Sequence, residues 1–344
     1  MTDTGSYDPL QEDDCRSLPR PGSGNRERLS LRSHPLIPEE QHVVLCRRIT
    51  APITVNKFVD EDFARRFASI TRPLPLGGRE ALREDAEGSF VFVERLHGAM
   101  PWAGHAIDQI ALHLRIQRWA GRPWLRFAPL CLVGPPGVGK SHLARLIGDL
   151  AGVGCAALDL AGSSDNRTLE GTSRGFSQAQ PAWPIMMIDK LRVANPVLVI
   201  EEIDKAGGGD QNGRALDSLL AMLEQGSATR YHDKCLLAEV DLSHVNWLLT
   251  CNSAESLPAP LRSRVQIARV DRPDVEHFEL IERAIRTSLA RRWVVPLHDL
   301  PELPPAALKV LREVFERERS VRRLQRHLET LIGTLIPARR TIVH

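Results

Sequence analysis

The sequence predicts an α/β protein in which a parallel five-stranded sheet precedes a small helical domain. Between residues 130 and 270, apolar runs of strand length alternate with helix-like or loop segments, a pattern typical of a parallel sheet with helices on its faces. After Pro273, apolar residues recur at spacings of three and four with arginines on the opposite face, which predicts amphipathic helices. The length of 344 residues excludes a single small module.

The predicted elements follow from these two patterns. The strands are the apolar runs Leu130–Val133, Cys155–Leu160, Pro196–Glu201, Val245–Cys251 and Val265–Val270. The helices are Ala106–Trp119, which leads into the first strand, and the later segments Val275–Arg292, Pro305–Glu318 and Val321–Ile336.

Four parts are predicted along the chain. Residues 1–35 are rich in Ser, Pro, Gly, Arg and Asp and show almost no apolar periodicity, so they are predicted to be a disordered tail. Residues 36–96 carry apolar stretches separated by turns and are predicted to form a small N-terminal element without a chemical motif. Residues 97–271 then form the α/β domain, and residues 272–344 form the helical domain.

Composition gives no reason to expect nucleic acid or a membrane as a partner. The net charge is only +2, and the arginines of the C-terminal helices are interleaved with glutamates, which favours an ion-paired, solvated surface. Six cysteines without C-x-x-C spacing indicate neither a zinc site nor a disulfide framework. No apolar run is long enough to cross a membrane, and the N-terminus is unlike a signal peptide. A cytoplasmic location is therefore predicted.

A glycine-rich motif between the first strand and a helical segment predicts nucleoside triphosphate binding. Residues 134–141, called the phosphate loop below, fit the pattern G-x-x-x-x-G-K-[ST]. Backbone N–H groups of such a loop surround phosphate oxygens, Lys140 neutralises their charge, and Ser141 holds Mg²⁺. The alternative is a glycine-rich turn that matches the pattern by chance, but such a turn would not be expected to have a strand before it and a helix after it, as this segment does. The predicted binding residues are Gly134, Pro135, Pro136, Gly137, Val138, Gly139, Lys140, Ser141 and His142.

Two adjacent carboxylates predict the other half of the site. The apolar run 197–200 ends in Glu201 and Glu202, the form of a Walker B strand. Glu201 is predicted to bind the metal and Glu202 to polarise the attacking water. The first acid is usually Asp, and the extra methylene of Glu201 moves its carboxylate by about an ångström, which leaves the hydrolysis rate open. The alternative is a buried strand that ends in a solvated acidic turn.

Three blocks of sequence resemble the Lon branch of the AAA+ ATPases. They are residues 131–140, residues 195–205, and residues 239–265 with their Leu248–Ser253 run and Pro258–Val265 segment. The resemblance covers about residues 100 to 336. It implies the P-loop NTPase fold, with an AAA+ large domain followed by a helical lid domain, and it implies ATP as substrate with Mg²⁺ as cofactor.

The resemblance also implies roles for single residues. Asn252 matches sensor 1, which orients the attacking water, and Arg322 matches the sensor 2 arginine of the lid. Arg264 matches the arginine finger that enters the site of a neighbouring subunit, with Arg262 as a nearby competitor. Phe176 occupies the position of the pore-loop aromatic that grips an unfolded polypeptide, although the residues around it differ from the family pattern and a core position is the alternative.

The expected function is Mg²⁺-dependent ATP hydrolysis by a ring, taken to be a homohexamer, that remodels or unfolds a protein client. The sequence ends at His344, soon after the lid segments, and shows no Ser/Lys nucleophile segment, so no intrinsic protease activity is expected. One alternative is a nucleotide-controlled interaction switch that hydrolyses ATP slowly or not at all. Another is a DNA-associated AAA+ ATPase, which rests on fold analogy and on the arginines of the lid helices.

Overall fold

The computed structural model describes residues 42–46, 65–160, 167–176, 178–205 and 210–336, without the side chains of residues 210–215. The predicted disordered tail, residues 1–35, lies outside the described residues, as does part of the predicted N-terminal element.

The described ranges contain nine β-strands and eleven α-helices. The strands are β1 (His42–Val43), β2 (Leu74–Pro75), β3 (Leu130–Val133), β4 (Cys155–Asp159), β5 (Val197–Glu201), β6 (Tyr231–Asp233), β7 (Ala238–Val240), β8 (Asn246–Cys251) and β9 (Gln266–Arg269). The helices are α1 (Val91–Ala99), α2 (Gly104–Trp119), α3 (Lys140–Ala151), α4 (Arg167–Glu170), α5 (Trp183–Leu191), α6 (Asp210–Leu223), α7 (Gln225–Ala228), α8 (Ala259–Arg262), α9 (Phe278–Trp293), α10 (Pro305–Glu318) and α11 (Val321–Leu335).

Five strands form one parallel sheet in the order β4-β5-β8-β3-β9. Each of them lies within one of the predicted apolar runs, so the predicted five-stranded parallel sheet is confirmed. The inner strands β5 and β8 are buried along almost their whole length, as expected where helices cover both faces. This order brings the carboxyl ends of β3, β5 and β8 side by side, so residues that follow these strands meet at one edge of the sheet.

The helical domain contains the three helices that the sequence predicts. Helix α9 is preceded by a 3-10 turn at Val275–His277, in which the side chains of Asp274 and His277 cap each other's backbone N–H groups. The rings of Phe278 and Phe315 pack with centroids 6.0 Å apart, which joins α9 to α10. Helix α11 buries its apolar stripe between them while its opposite face stays exposed. The three-and-four spacing therefore corresponds to real packing.

A two-stranded antiparallel hairpin, β6 and β7, is absent from the sequence prediction. Each strand has only three residues, too few to show a period of two. The carboxylate of Asp233, in the hairpin, accepts hydrogen bonds from the N–H groups of Ala182, Cys235 and Leu236. Burial raises the pKa of this carboxyl group, and the backbone donors act against that rise. A buried acid therefore joins the hairpin to α5.

The segment before α2 packs into the same core as the phosphate-loop helix. Ala81, Phe92 and Leu96 are buried together with Leu143 and Ile147 of α3. The domain limits predicted from the sequence stay a prediction. Within the described residues, no helix is both long and apolar enough to cross a membrane.

Candidate functional site

The phosphate loop joins β3 to α3 through glycines that a side chain would disrupt. Gly137 and Gly139 have φ values of 83° and 102°, in the left-handed region that residues with a Cβ rarely adopt. At Gly134, a Cβ would lie 2.1 Å from the carbonyl oxygen of Val270. The loop can therefore turn sharply and present its backbone to a ligand at the N-terminus of α3, where N–H groups favour anions.

Alanine at Gly134 is expected to destabilise the fold, because the added Cβ meets backbone of the segment that follows β9. We expect a loss of at least about 1–3 kcal/mol in the free energy of unfolding. Urea denaturation would measure it, with Gly98→Ala as the control, since a Cβ at this position of α1 meets no atom within 4 Å. Similar losses in both variants would contradict the packing explanation.

Lys140 lies at the centre of the loop and binds its carbonyl groups. Its Nζ donates hydrogen bonds to the oxygens of Gly134 (2.5 Å) and Pro135 (3.1 Å) and to Oδ1 of Asn252 (3.2 Å). Burial lowers the pKa of this ammonium group, while the charge of Asp204 acts in the opposite direction. A partly desolvated cation enclosed by acceptors is suited to bind phosphate oxygens.

The predicted carboxylates emerge where β5 ends. Within the described part of the chain, Oε1 of Glu201 is buried and accepts no hydrogen bond, so a hard cation such as Mg²⁺ fits this oxygen. Glu202 has a φ of 51°, a strained value for a residue with a side chain. Its N–H donates to Oγ1 of Thr250 at 3.1 Å, and its carboxylate pairs with Lys205 at 2.6 Å.

Asn252 follows β8 directly and is held by the turn that follows β5. Its backbone N–H and its side-chain Nδ2 both donate to Oδ2 of Asp204, at 3.0 and 3.2 Å. Its Oδ1 accepts from Lys140. The ends of β3, β5 and β8 are therefore linked by direct polar contacts.

The helical domain contacts the phosphate loop through the start of α11. The N–H groups of Val321 and Arg322 donate to the carbonyl oxygen of Gly137, at 2.9 and 3.4 Å. The hydroxyl of Ser320 caps α11, and it would lie 2.6 Å from a Cβ placed on Gly137. This close approach depends on glycine at that position of the loop.

A cavity of about 470 Å³ lies between the phosphate loop and the helical domain. Six residues predicted from the sequence line it together: Lys140, Ser141, Glu201, Glu202, Asn252 and Arg322. Pro136, Gly137, Gly139 and His142 also line it, whereas Gly134, Pro135 and Val138 belong to the loop without lining the cavity. Its apolar wall includes Met100, Trp102, Ile281 and Ile285. A cavity with a phosphate-binding end and an apolar end suits a nucleotide.

Arg264 does not line this cavity in its own chain. Its guanidinium group donates to the carbonyl oxygen of Pro260 (3.1 Å) and pairs with Glu224 (3.2 Å). Arg262, the competitor for its role, donates from one nitrogen to three backbone carbonyls of the preceding loop. Arg262 therefore stabilises its own loop, whereas two of the three partners that Arg264 has among the described residues are the side chains of Ser263 and Glu224. Phe176 lies elsewhere, 68% exposed, and this exposure disfavours a core position.

Trp102 is a site residue that sequence reasoning missed. Its Nε1 donates to the carbonyl oxygen of Val138 in the phosphate loop at 2.8 Å, and its ring lies 5.4 Å from that of His277. Its own carbonyl oxygen accepts from Asp271. Trp102 thus connects the loop to the junction between sheet and helical domain. Asp204 and Thr250 were also missed; the one signal for Asp204 was its place in the acidic segment after β5.

Comparisons with known proteins agree with this geometry. Residues 130–271 match the family model described as "ATPase family associated with various cellular activities (AAA)". The chain is 32% identical over 228 residues to Lon protease 1 of Herpetosiphon aurantiacus, an alignment that covers 66% of this chain and 28% of that protein. It is 34% identical over 213 residues to Lon protease of Metamycoplasma arthritidis, covering 60% and 25%. It thus spans only about a quarter of the length of these relatives.

A solved structure shares the fold at low sequence identity. A reconstruction of Hsp104 in its closed state, with ATPγS and FITC casein, superimposes with a TM-score of 0.53. The match covers 71% of this chain and 46% of that chain at 16% identity. It supports the α/β nucleotide-binding fold.

Proposed function

We propose that this chain, which carries a Lon-like AAA+ ATPase module, hydrolyses ATP with Mg²⁺ to remodel a protein client. The observation that carries the proposal is the single cavity in which Lys140, Glu202 and Arg322 meet. Lys140 and the loop N–H groups hold the β- and γ-phosphates, while the apolar wall from Met100 to Ile285 receives the base.

Each polar residue of the cavity has a chemical role in the proposal. Ser141 and Glu201 hold the metal ion, which neutralises charge on the phosphoryl oxygens when it is bound. Glu202 accepts a proton from the attacking water, which first requires its carboxylate to leave Lys205. Asn252 orients that water. Arg322 contacts the nucleotide from the helical domain. Binding and release of the γ-phosphate therefore change the contact between α11 and the phosphate loop.

The proposed assembly is a homohexameric ring. Arg264 lies outside the cavity of its own chain, so it can contribute to hydrolysis only from a neighbouring protomer. Closed rings with identical head-to-tail contacts provide such neighbours. The ring and the arginine finger are therefore proposed together.

The proposed client is a protein. Phe176 is exposed and directly follows Gly175. Gly175 has a φ of 113°, a backbone conformation that residues with a side chain rarely adopt. An exposed aromatic ring on such a turn provides a non-specific apolar contact for an extended polypeptide. No peptide-bond hydrolysis is assigned to this chain, and a cytoplasmic location stays part of the proposal.

A second candidate function is a slow nucleotide switch. The ion pair between Glu202 and Lys205 at 2.6 Å favours it, as does glutamate at position 201. Steady-state turnover of ATP would separate the two functions. A motor turns over ATP faster than its Glu202→Gln variant, whereas a switch binds ATP without such a difference.

Unfolded casein is expected to stimulate ATP turnover by the wild-type chain. Phe176→Ala should lose the stimulation and keep the basal rate, because the apolar grip is lost and the ATP cavity is untouched. Phe176→Tyr is the control and should retain both. Stimulation that survives in Phe176→Ala would contradict the client contact.

A further inference from the structure

Asp204 lies behind the ATP cavity and does not line it. It belongs to the 3-10 turn Ile203–Lys205, which follows β5 and the two carboxylates. Strands β5 and β8 are neighbours, so this turn lies beside Asn252 at the end of β8. Asp204 therefore contacts no substrate and can act only through the residue it holds.

The contacts of Asp204 determine how the amide of Asn252 is oriented. A carboxylate only accepts hydrogen bonds, and an amide has one donating end and one accepting end. Oδ2 of Asp204 accepts from the backbone N–H and from Nδ2 of Asn252, at 3.0 and 3.2 Å. Oδ1 of Asn252 must then point the other way, and it accepts from Lys140 at 3.2 Å.

Folding stability alone does not explain a carboxylate at position 204, because its second oxygen has no hydrogen-bond partner among the described residues. Oδ1 of Asp204 is buried, and no described residue donates a hydrogen bond to it. A buried, unsatisfied carboxylate oxygen opposes folding. Asparagine at position 204 would accept the same two bonds through its Oδ1 and would bury no charge.

We propose that Asp204 is a positioning residue that makes Asn252 a hydrogen-bond acceptor in the hydrolysis reaction. The inference deepens the proposed function and rests on it. When Lys140 turns to the phosphates, Oδ1 of Asn252 becomes free to accept one hydrogen of the attacking water. Glu202 accepts the other, so a lone pair of the water oxygen points at the γ-phosphorus.

Asp204 disfavours the alternative role of Asn252, in which its amide nitrogen donates a hydrogen bond to the phosphates. If Nδ2 rather than Oδ1 of Asn252 were to face the phosphate loop and donate to a phosphoryl oxygen, the amide would have to rotate. Its carbonyl oxygen would then face the carboxylate of Asp204, and two acceptors would meet where a hydrogen bond of 3.2 Å now exists. Asp204 thus selects the water-binding orientation.

The test is a set of variants at both positions, assayed for kcat and for KM of ATP. Asp204→Leu keeps the size and removes the acceptor, and we expect kcat to fall about 10²-fold with little change in KM. Asp204→Asn keeps an acceptor and should retain most of the rate. Asp108→Leu, an exposed carboxylate paired with His97, is the control and should change neither parameter.

If Asp204→Leu does not fold, a double variant that exchanges the two residues, Asp204→Asn with Asn252→Asp, provides the test. Asn252→Asp places two carboxylates together and should lose turnover, and adding Asp204→Asn should restore much of it, because the new amide can donate to the new carboxylate. A double variant no faster than Asn252→Asp, or full kcat in folded Asp204→Leu, would overturn the positioning role. Wild-type turnover no faster than that of Glu202→Gln would instead refute the proposed function, and the inference with it.

Discussion

Alanine in place of Arg264 is expected to lower ATP turnover by about 10³–10⁵-fold while ATP binding stays close to that of the wild type. The guanidinium group lies outside its own cavity and pairs with exposed Glu224 at 3.2 Å, so it does not hold the nucleotide of its own chain. Delivered to a neighbouring cavity, it stabilises charge that develops on the γ-phosphate. Steady-state turnover and equilibrium nucleotide binding would separate these effects. Arg230→Ala, which removes another surface ion pair, is the control.

Mixing variants shows whether Arg264 acts between protomers. The Arg264→Ala variant keeps Glu202 in its own cavity, and the Glu202→Gln variant keeps Arg264 as the arginine finger for a neighbouring cavity. In randomly mixed rings about a quarter of the interfaces combine the two intact halves, so turnover should rise well above that of either variant. The absence of any rise at concentrations where rings are demonstrably present would assign Arg264 to a structural role.

Glutamine at position 202 is expected to lower kcat by about 10²–10⁴-fold and to leave ATP affinity largely unchanged. The substitution keeps the length of the side chain and removes the group that accepts the proton of the attacking water. The strained backbone, with φ of 51°, is kept because both residues have a Cβ. Burst and steady-state measurements of phosphate release, together with binding of labelled ATP, would show the difference.

Glu239→Gln is the matched control for this substitution. Glu239 forms an exposed ion pair with Arg230 and does not line the cavity, so turnover of this variant should equal that of the wild type. If Glu202→Gln hydrolysed ATP at the wild-type rate, Glu202 would not be the base, and the ion pair with Lys205 would be structural.

The sequence predicted the parts of the site that are encoded in continuous segments. The glycines of the phosphate loop, Lys140 and the acids after β5 each lie within a motif whose spacing reflects one local turn or strand end. The strands around them were predicted correctly because buried parallel strands read as uninterrupted apolar runs. These predictions needed no knowledge of which segments meet in space.

The missed residues act across long separations in the chain. Trp102 bonds to Val138 from 36 positions away, and Asp204 bonds to Asn252 from 48 positions away. Neither residue type signals its partner, since a tryptophan before a helix and an aspartate after a strand are common. Hairpin β6–β7 was missed for another reason, because its strands are too short for periodicity.

By itself the sequence determined the chemistry: a glycine loop with Lys140, two carboxylates at a strand end, and a helical segment that carries Arg322. Only the tertiary structure decided how these groups face one another. Strand order β4-β5-β8-β3-β9 places Asn252 between Lys140 and Asp204, and it leaves Arg264 outside its own cavity. The physical reason is that hydrogen-bond polarity and reach depend on distances between separate strands, which follow from packing of the whole sheet rather than from any local pattern.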